Sequence, residues 1–172
     1  PEAVLFLGKC GGLKDNKMKV GDLLLPTAAI RGEGTSNDFY PPDVPALPAF
    51  ALQKAVSTTI RFYARDYFTG TVYTTNRRLW EHDDLFKEKL LLYGSSGIDM
   101  ETATLFMVGF YNRIPTGALL LVSDQPMTPE GVKTSQSDKM VSQQHVLNHL
   151  KIGMDSLKQI IHRGETVRHL KY

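Results

Sequence analysis

The stretch GALLLVSD, residues 117–124, decides how this chain is read, because an unbroken apolar run ends abruptly in Ser123 and Asp124. A strand with one solvated face would alternate apolar and polar residues, whereas an unbroken run fits a strand covered on both faces. Working outward, residues 102–111 (TATLFMVGFY) have a helical pattern that NRIP at 112–115 breaks. Beyond Asp124 come a loop over 125–135 and a long final helix over about 138–162. Upstream, residues 4–7 read as a strand followed by the glycine-rich turn GKCGG, and 22–30 as a second buried strand that Pro26 makes irregular or places at an edge. A rigid proline-rich loop (35–48), a helix (50–63), a short strand GTVYTT (70–75), a helix (81–93), a loop (94–97) and a strand end at Ile98 complete the pass. Strands alternating with helices mean an α/β layer fold with a largely buried sheet.

The 172 residues are 42% apolar and suit a single domain spanning 1–172. No apolar run reaches the length that crosses a bilayer, so no membrane partner is expected. The opening PEAVLFLGKCGG lacks the basic start and cleavage site of a signal peptide. It reads as a buried strand already under way, and an N-terminal segment is expected to precede it. Cys10 is the sole cysteine and has no internal disulfide partner, which points to a reducing cytoplasm. The net charge of +2 is spread along the chain. Its densest basic patch, HRGETVRHLKY at 162–172, lacks interleaved aromatics and regular spacing, so it reads as a solvated terminus and no nucleic acid is expected.

Ligands of open α/β sheets gather outside the carboxyl ends of strands. Three features fall there: GKCGG, IDMET at 98–102, and VSD at 122–124. Each has a plain structural reading. Asp99 caps the helix that follows and Glu101 favours its positive end. Asp124 caps a turn before Pro126, and the glycines permit a positive-φ turn. GKCGG is not a phosphate-binding G-x-x-x-x-G-K-[ST] loop. His145 and His149 stand four apart on the last helix, but Val146, Leu147 and Asn148 between them supply no metalloprotease motif, so both read as surface histidines.

In this order, Gly8 to Gly12, Met100-Glu101 and Ser123-Asp124 resemble the nucleoside phosphorylase/nucleosidase superfamily. GDLLLPTAAIR, YPPDVPALP, GTVYTTNRRLWE, IDMETAT and VSDQP narrow the likeness to the branch that cleaves AMP, over nearly the whole chain. The resemblance implies a three-layer α/β/α sandwich around a central mixed, twisted sheet. It implies an enzyme that hydrolyses the N-glycosidic bond of a purine nucleotide, working as a homo-oligomer, a hexamer. Asp124 matches the family's general acid, which protonates the base at N7 and must itself be protonated, in an apolar pocket or near another carboxylate. Glu101 matches the carboxylate that accepts hydrogen bonds from the ribose 2′- and 3′-hydroxyls. Met100 matches a residue packing on the sugar, or else fills core. Cys10 and Gly11 match a backbone segment near the base, and Ser123 precedes the acid. Tyr73 aligns with a base-stacking aromatic or is a core tyrosine, and Trp80 lines the pocket or stabilises its wall.

Phosphorylases hold their phosphate nucleophile with an arginine and a serine or threonine. Here those positions are Phe6 and Lys9, which favours water as the nucleophile. Lys9 then meets the 5′-phosphate of a nucleotide or points to solvent. Arg31 meets that phosphate or makes a surface salt bridge, and Lys133 is a third cation for it. Protonation and charge stabilisation suffice for this chemistry, so no cofactor or metal is expected. The rivals are a purine nucleoside phosphorylase, a nucleosidase for 5′-modified adenosines, and a nucleotide-binding module without activity.

Overall fold

A computed structural model describes residues 1–13, 17–128, 131–132 and 134–163. Five strands, β1 (Val4–Gly12), β2 (Leu23–Gly32), β3 (Phe68–Thr75), β4 (Gly97–Asp99) and β5 (Thr116–Asp124), form one mixed sheet. Four helices accompany them: α1 (Phe50–Phe62), α2 (Asp84–Leu92), α3 (Thr102–Tyr111) and α4 (Ser135–His162). The order β1-β4-β3-β2-β5 closes on itself, since β5 also pairs with β1. The fold is thus the expected α/β architecture with a central mixed sheet, coiled until its edges meet.

Two parallel groups make up this sheet. β1 and β5 run together, as do β2, β3 and β4, and the two groups run in opposite directions. They join at two antiparallel seams. At one, the last residues of β1 pair with β4, Gly11 opposite Ile98 and Gly12 opposite Gly97. At the other, Leu23 and Leu24 of β2 meet Leu121 and Leu120 of β5. Carboxyl ends from both groups therefore converge at the β1–β4 seam. The sequence placed Asp124 and the Met100-Glu101 turn on one sheet edge. They come instead from oppositely running strands whose ends overlap.

β5 carries the layering. Ala118, Leu120 and Val122 pack with Ala103, Phe106 and Met107 of α3, while Leu119 and Leu121 pack with Val56 and Ile60 of α1 and Val141 and Ile152 of α4. Both faces are apolar because both are covered. Pro26 cannot donate to the ladder, and the β2–β3 register slips between Pro26 and Ala28. Buried Gln53 of α1 spans the gap, donating to the Pro26 carbonyl at 2.6 Å and accepting from Ala118 N–H at 3.1 Å.

Three sequence expectations change. The GKCGG segment is strand to its end, and none of its glycines has positive φ. Gly11 is needed for space instead: a Cβ there would sit 2.8 Å from Pro126 Cγ and 3.2 Å from Ile98 Cγ2. The helix expected from residue 81 begins as a short 3-10 turn at Trp80–His82, and α2 proper starts where the Asp83 carboxylate accepts from Phe86 N–H at 3.0 Å. His149 is a core residue, 4% exposed, with Nε2 donating to the Leu119 carbonyl at 2.8 Å; burial holds its imidazole below the usual range. The long amphipathic period of α4 placed it on a helix without revealing which face β5 covers.

Candidate active site

A cleft of about 750 Å³ opens over the β1–β4 seam, within the size range of small-molecule sites. Its floor is made by Lys9, Cys10 and Gly11 of β1, Ile98 and Asp99 of β4, and Ser123 and Asp124 of β5. Met100 and Glu101 line it from the turn into α3, and residues 77–82 from the segment after β3. Thr134, Ser135 and Asp138, at the start of α4, complete the wall.

The two carboxylates of the IDMET turn have opposite surroundings. Asp99 is 6% exposed and its oxygens are taken: Oδ1 accepts from Thr74 Oγ1 at 2.8 Å, and Oδ2 from Thr102 N–H at 2.9 Å and from the Thr102 hydroxyl. Burial pushes its carboxyl up against the lowering effect of those bonds. Thr74 Oγ1 in turn accepts from Ala103 N–H at 2.9 Å, so β3, β4 and α3 are bolted at this point. Glu101 is exposed and, among the described residues, accepts a hydrogen bond only from the Met100 N–H, at 3.2 Å. One carboxylate closes the helix start and its neighbour faces the cleft.

Asp124 sits at the end of β5, only 8% exposed. Register between β1 and β5 shifts here, Cys10 facing Val122 but Gly11 facing Asp124, so Ser123 is an extra residue on β5. A bulge of this kind re-aims the side chain that follows it. The Ser123 hydroxyl lies within hydrogen-bond reach of the Asp124 carboxyl, at 2.5 Å, and of the Cys10 carbonyl, at 3.3 Å. Cys10 is buried beneath. Desolvation pushes its thiol well up, and the charges of Asp99 and Asp124 push it further, so it remains a neutral thiol.

The cationic residues named from the sequence separate. Lys9 lines the cleft, but its Nζ donates to Asp138 Oδ1 at 2.7 Å and Ser142 Oγ at 2.8 Å, tying β1 to α4. Arg31 does not line it. Its guanidinium donates to Ser36 Oγ (2.9 Å), Asn37 Oδ1 (3.0 Å) and the carbonyls of Tyr40 (2.7 Å), Pro41 and Val44 (2.8 Å), and so holds the proline-rich loop. Lys133 and residues 164–172 of the basic tail lie outside the described residues. Tyr73 is buried behind the cleft with Trp80, Phe86 and Ile98, its ring 5.5 Å from that of Phe86. Trp80 belongs to that cluster and to the cleft wall, so it fills both of the roles considered for it.

Sequence reasoning missed Arg77, Arg78 and His82, which line the cleft from the β3–α2 connection. The only signal available was their place within TTNRRLWE, directly after a strand end.

A closed mixed sheet with helices on both faces, and a cleft at converging strand ends, defines the class: residues 1–162 match the phosphorylase superfamily, and the chain belongs to it. Among solved structures it is similar to the AMP nucleosidase of Bacteroides thetaiotaomicron VPI-5482, with a TM-score of 0.79 and 49% identity, over 96% of this chain and 64% of that one. It is 29% identical to the AMP nucleosidase of Escherichia coli K12 over 99% of its own length, but spans only 37% of that relative. The uridine phosphorylase of Vibrio fischeri ES114 shares the fold, with a TM-score of 0.78 and 24% identity over 91% of this chain and 63% of that one.

Proposed function

We propose that this chain carries the base-cleaving site of an AMP-hydrolysing enzyme, which releases adenine and ribose 5-phosphate. One observation carries the reading: Asp124 and Glu101, from strands of opposite direction, open into a single cleft. The likeness to two AMP nucleosidases supports the choice of substrate.

In this reading Asp124, in its protonated form, donates to N7 of the adenine. The glycosidic bond breaks with its electron pair going to the base, and the ribose becomes an oxocarbenium-like cation. Glu101, an exposed carboxylate lining the cleft with Oε2 accepting from the Met100 N–H, accepts from the 2′- and 3′-hydroxyls and favours the positive charge growing beside it. Water adds to C1′ and loses a proton, which restores the acid. Met100 offers a soft apolar surface to the sugar. Lys9, the cation that β1 itself carries, is already paired with Asp138, which favours water over inorganic phosphate as the nucleophile. The enzyme is expected to work as a homo-oligomer in the cytoplasm.

The test is Asp124→Asn. Release of adenine from AMP should fall by about 10²–10⁴-fold, the usual contribution of a general acid. Near-full activity would end the assignment. Running the wild-type protein on AMP and on adenosine, each with and without inorganic phosphate, separates hydrolysis from phosphorolysis. Phosphate-dependent release from adenosine would place the chain with the nucleoside phosphorylases.

A further inference from the structure

We infer that Arg78, flanked by Arg77, forms a subsite for the 5′-phosphate monoester of a nucleotide. This rests on the reading that the sugar sits at Glu101. Across the seam the strands stand in the order β5, β1, β4, β3. β5 ends in Asp124, β1 lies next with Gly11, β4 follows and leads to Glu101, and β3 comes after it and leads to Arg77 and Arg78. A nucleotide has the same linear order of base, ribose and phosphate. Acid, diol-binding carboxylate and guanidinium thus stand in the sequence a nucleotide requires, one strand step of about 4.8 Å separating the last two strands.

The geometry of the β3–β4 pair fixes the last part of that order. Thr74 faces Asp99 in register, and the Thr74–Asp99–Ala103 bonds hold the two strand ends together. Glu101 is two residues beyond Asp99, while Arg77 and Arg78 are three and four beyond Thr74. Arg77 N–H donates to Thr75 Oγ1 at 3.0 Å, so the chain bends immediately after the strand. Both arginines and His82 line the cleft.

Charge availability singles out Arg78. Lys9 is neutralised by Asp138, and Arg31 is spent on the proline-rich loop. Arg77 shares one nitrogen with Asp83 at 2.8 Å and lies 5.0 Å above the Phe86 ring, which holds its side chain and leaves other N–H groups available. Arg78 is exposed, and among the described residues no carboxylate pairs with it. Glu81 is the nearest acidic residue in sequence on the same wall, and among the described residues it makes no ion pair with Arg78. A planar fork of N–H donors is the group that recognises a phosphate monoester by paired hydrogen bonds.

The experiment compares Arg78→Ala and Arg78→Lys with the wild-type chain in two assays. The first is the ratio of kcat/KM for AMP to that for adenosine. The second is binding of ribose 5-phosphate against ribose by calorimetry, which needs no turnover. Arg78→Ala should lower the ratio by about 30-fold, chiefly through KM for AMP, and weaken ribose 5-phosphate by a similar factor. Arg78→Lys should recover part of each. An equal loss on AMP and adenosine, or unchanged ribose 5-phosphate binding, overturns the subsite. A wild-type chain that binds ribose 5-phosphate through Arg78 but cleaves no AMP keeps the subsite and refutes the proposed reaction.

Discussion

The connections leaving β2 and β3 have similar ingredients and opposite uses. At the end of β2, Arg31 in the strand and Glu33 just past it precede a segment of aromatics and prolines; after β3, Arg77 and Arg78 precede an aromatic and two acids. In the first, the donors of Arg31 are met by five oxygens of its own loop, and Glu33 Oε1 accepts from Ser36 N–H and Thr104 Oγ1, each at 3.0 Å. That connection is a hydrogen-bonded unit that fastens the loop to α3, with Glu33 Oε2 left buried without a hydrogen-bond partner among the described residues. In the second, Arg77 is held by Asp83 and Phe86, while Arg78 extends into the cleft wall with no such partner among the described residues. The lesson is that an arginine's role is set by whether its donors are already satisfied. A saturated guanidinium gains little from a ligand, and an open one gains charge-assisted bonds.

The contrast can be broken most easily at Arg31. Arg31→Ala takes the guanidinium from the Tyr40 and Val44 carbonyls, while Pro41 keeps the Val44 N–H, and should cost about 2–4 kcal/mol of unfolding free energy. Chemical denaturation measures it. If stability held while AMP selectivity collapsed, the two connections would have been assigned the wrong way round. Arg78→Ala, at an exposed site, should stay within about 0.5 kcal/mol of the wild type in the same assay.

A finer test uses Glu33. Burial pushes its carboxyl up, but hydrogen bonds from Ser36, from its own backbone and from Thr104 together hold it below the ordinary value. A depressed folded value means a stabilising contribution that is complete above the unfolded pKa of about 4.3 and is lost as pH falls through the folded one. The acid limb of a stability–pH curve should therefore flatten in Glu33→Gln, and an unchanged limb would remove Glu33 from the unit.

The smallest expected effect concerns His149, whose depressed value gives a term present above about pH 6.5 and lost as pH falls through the lower folded value. Between pH 7.5 and 5.5 the melting temperature of His149→Gln should decline less steeply than that of the wild type. Parallel slopes would mean that His149 is solvated, as its place in the sequence first implied.

Much of the fold could be read from residue patterns because its causes are local. The unbroken run ending at Asp124 needs cover on both faces, NRIP stops α3, and Asp99 stands where a helix start needs an acceptor. Each structural reading depends on neighbours within a few residues, and each element lies close to where the pattern put it. The candidate site was half readable for the same reason. Glu101 and Asp124 stand in motifs at strand ends, and both reach the cleft. Arg31 and Arg78 were not separable in this way, since each is an arginine just past or near a strand end.

By itself, then, the sequence determined the order of strands and helices, the doubly covered β5, and the two carboxylates at strand ends that line the cleft. Tertiary structure alone decided that two parallel groups meet carboxyl end to carboxyl end, that His149 is buried under β5, and that Arg78 has no carboxylate partner among the described residues while Lys9 and Arg31 are occupied. The reason is physical: backbone preference and apolar period act over a few residues, whereas the saturation of a long polar side chain depends on oxygens brought to it from elsewhere in the chain. For Lys9 those are Asp138 and Ser142, which the closure of the sheet and the docking of α4 bring across to β1.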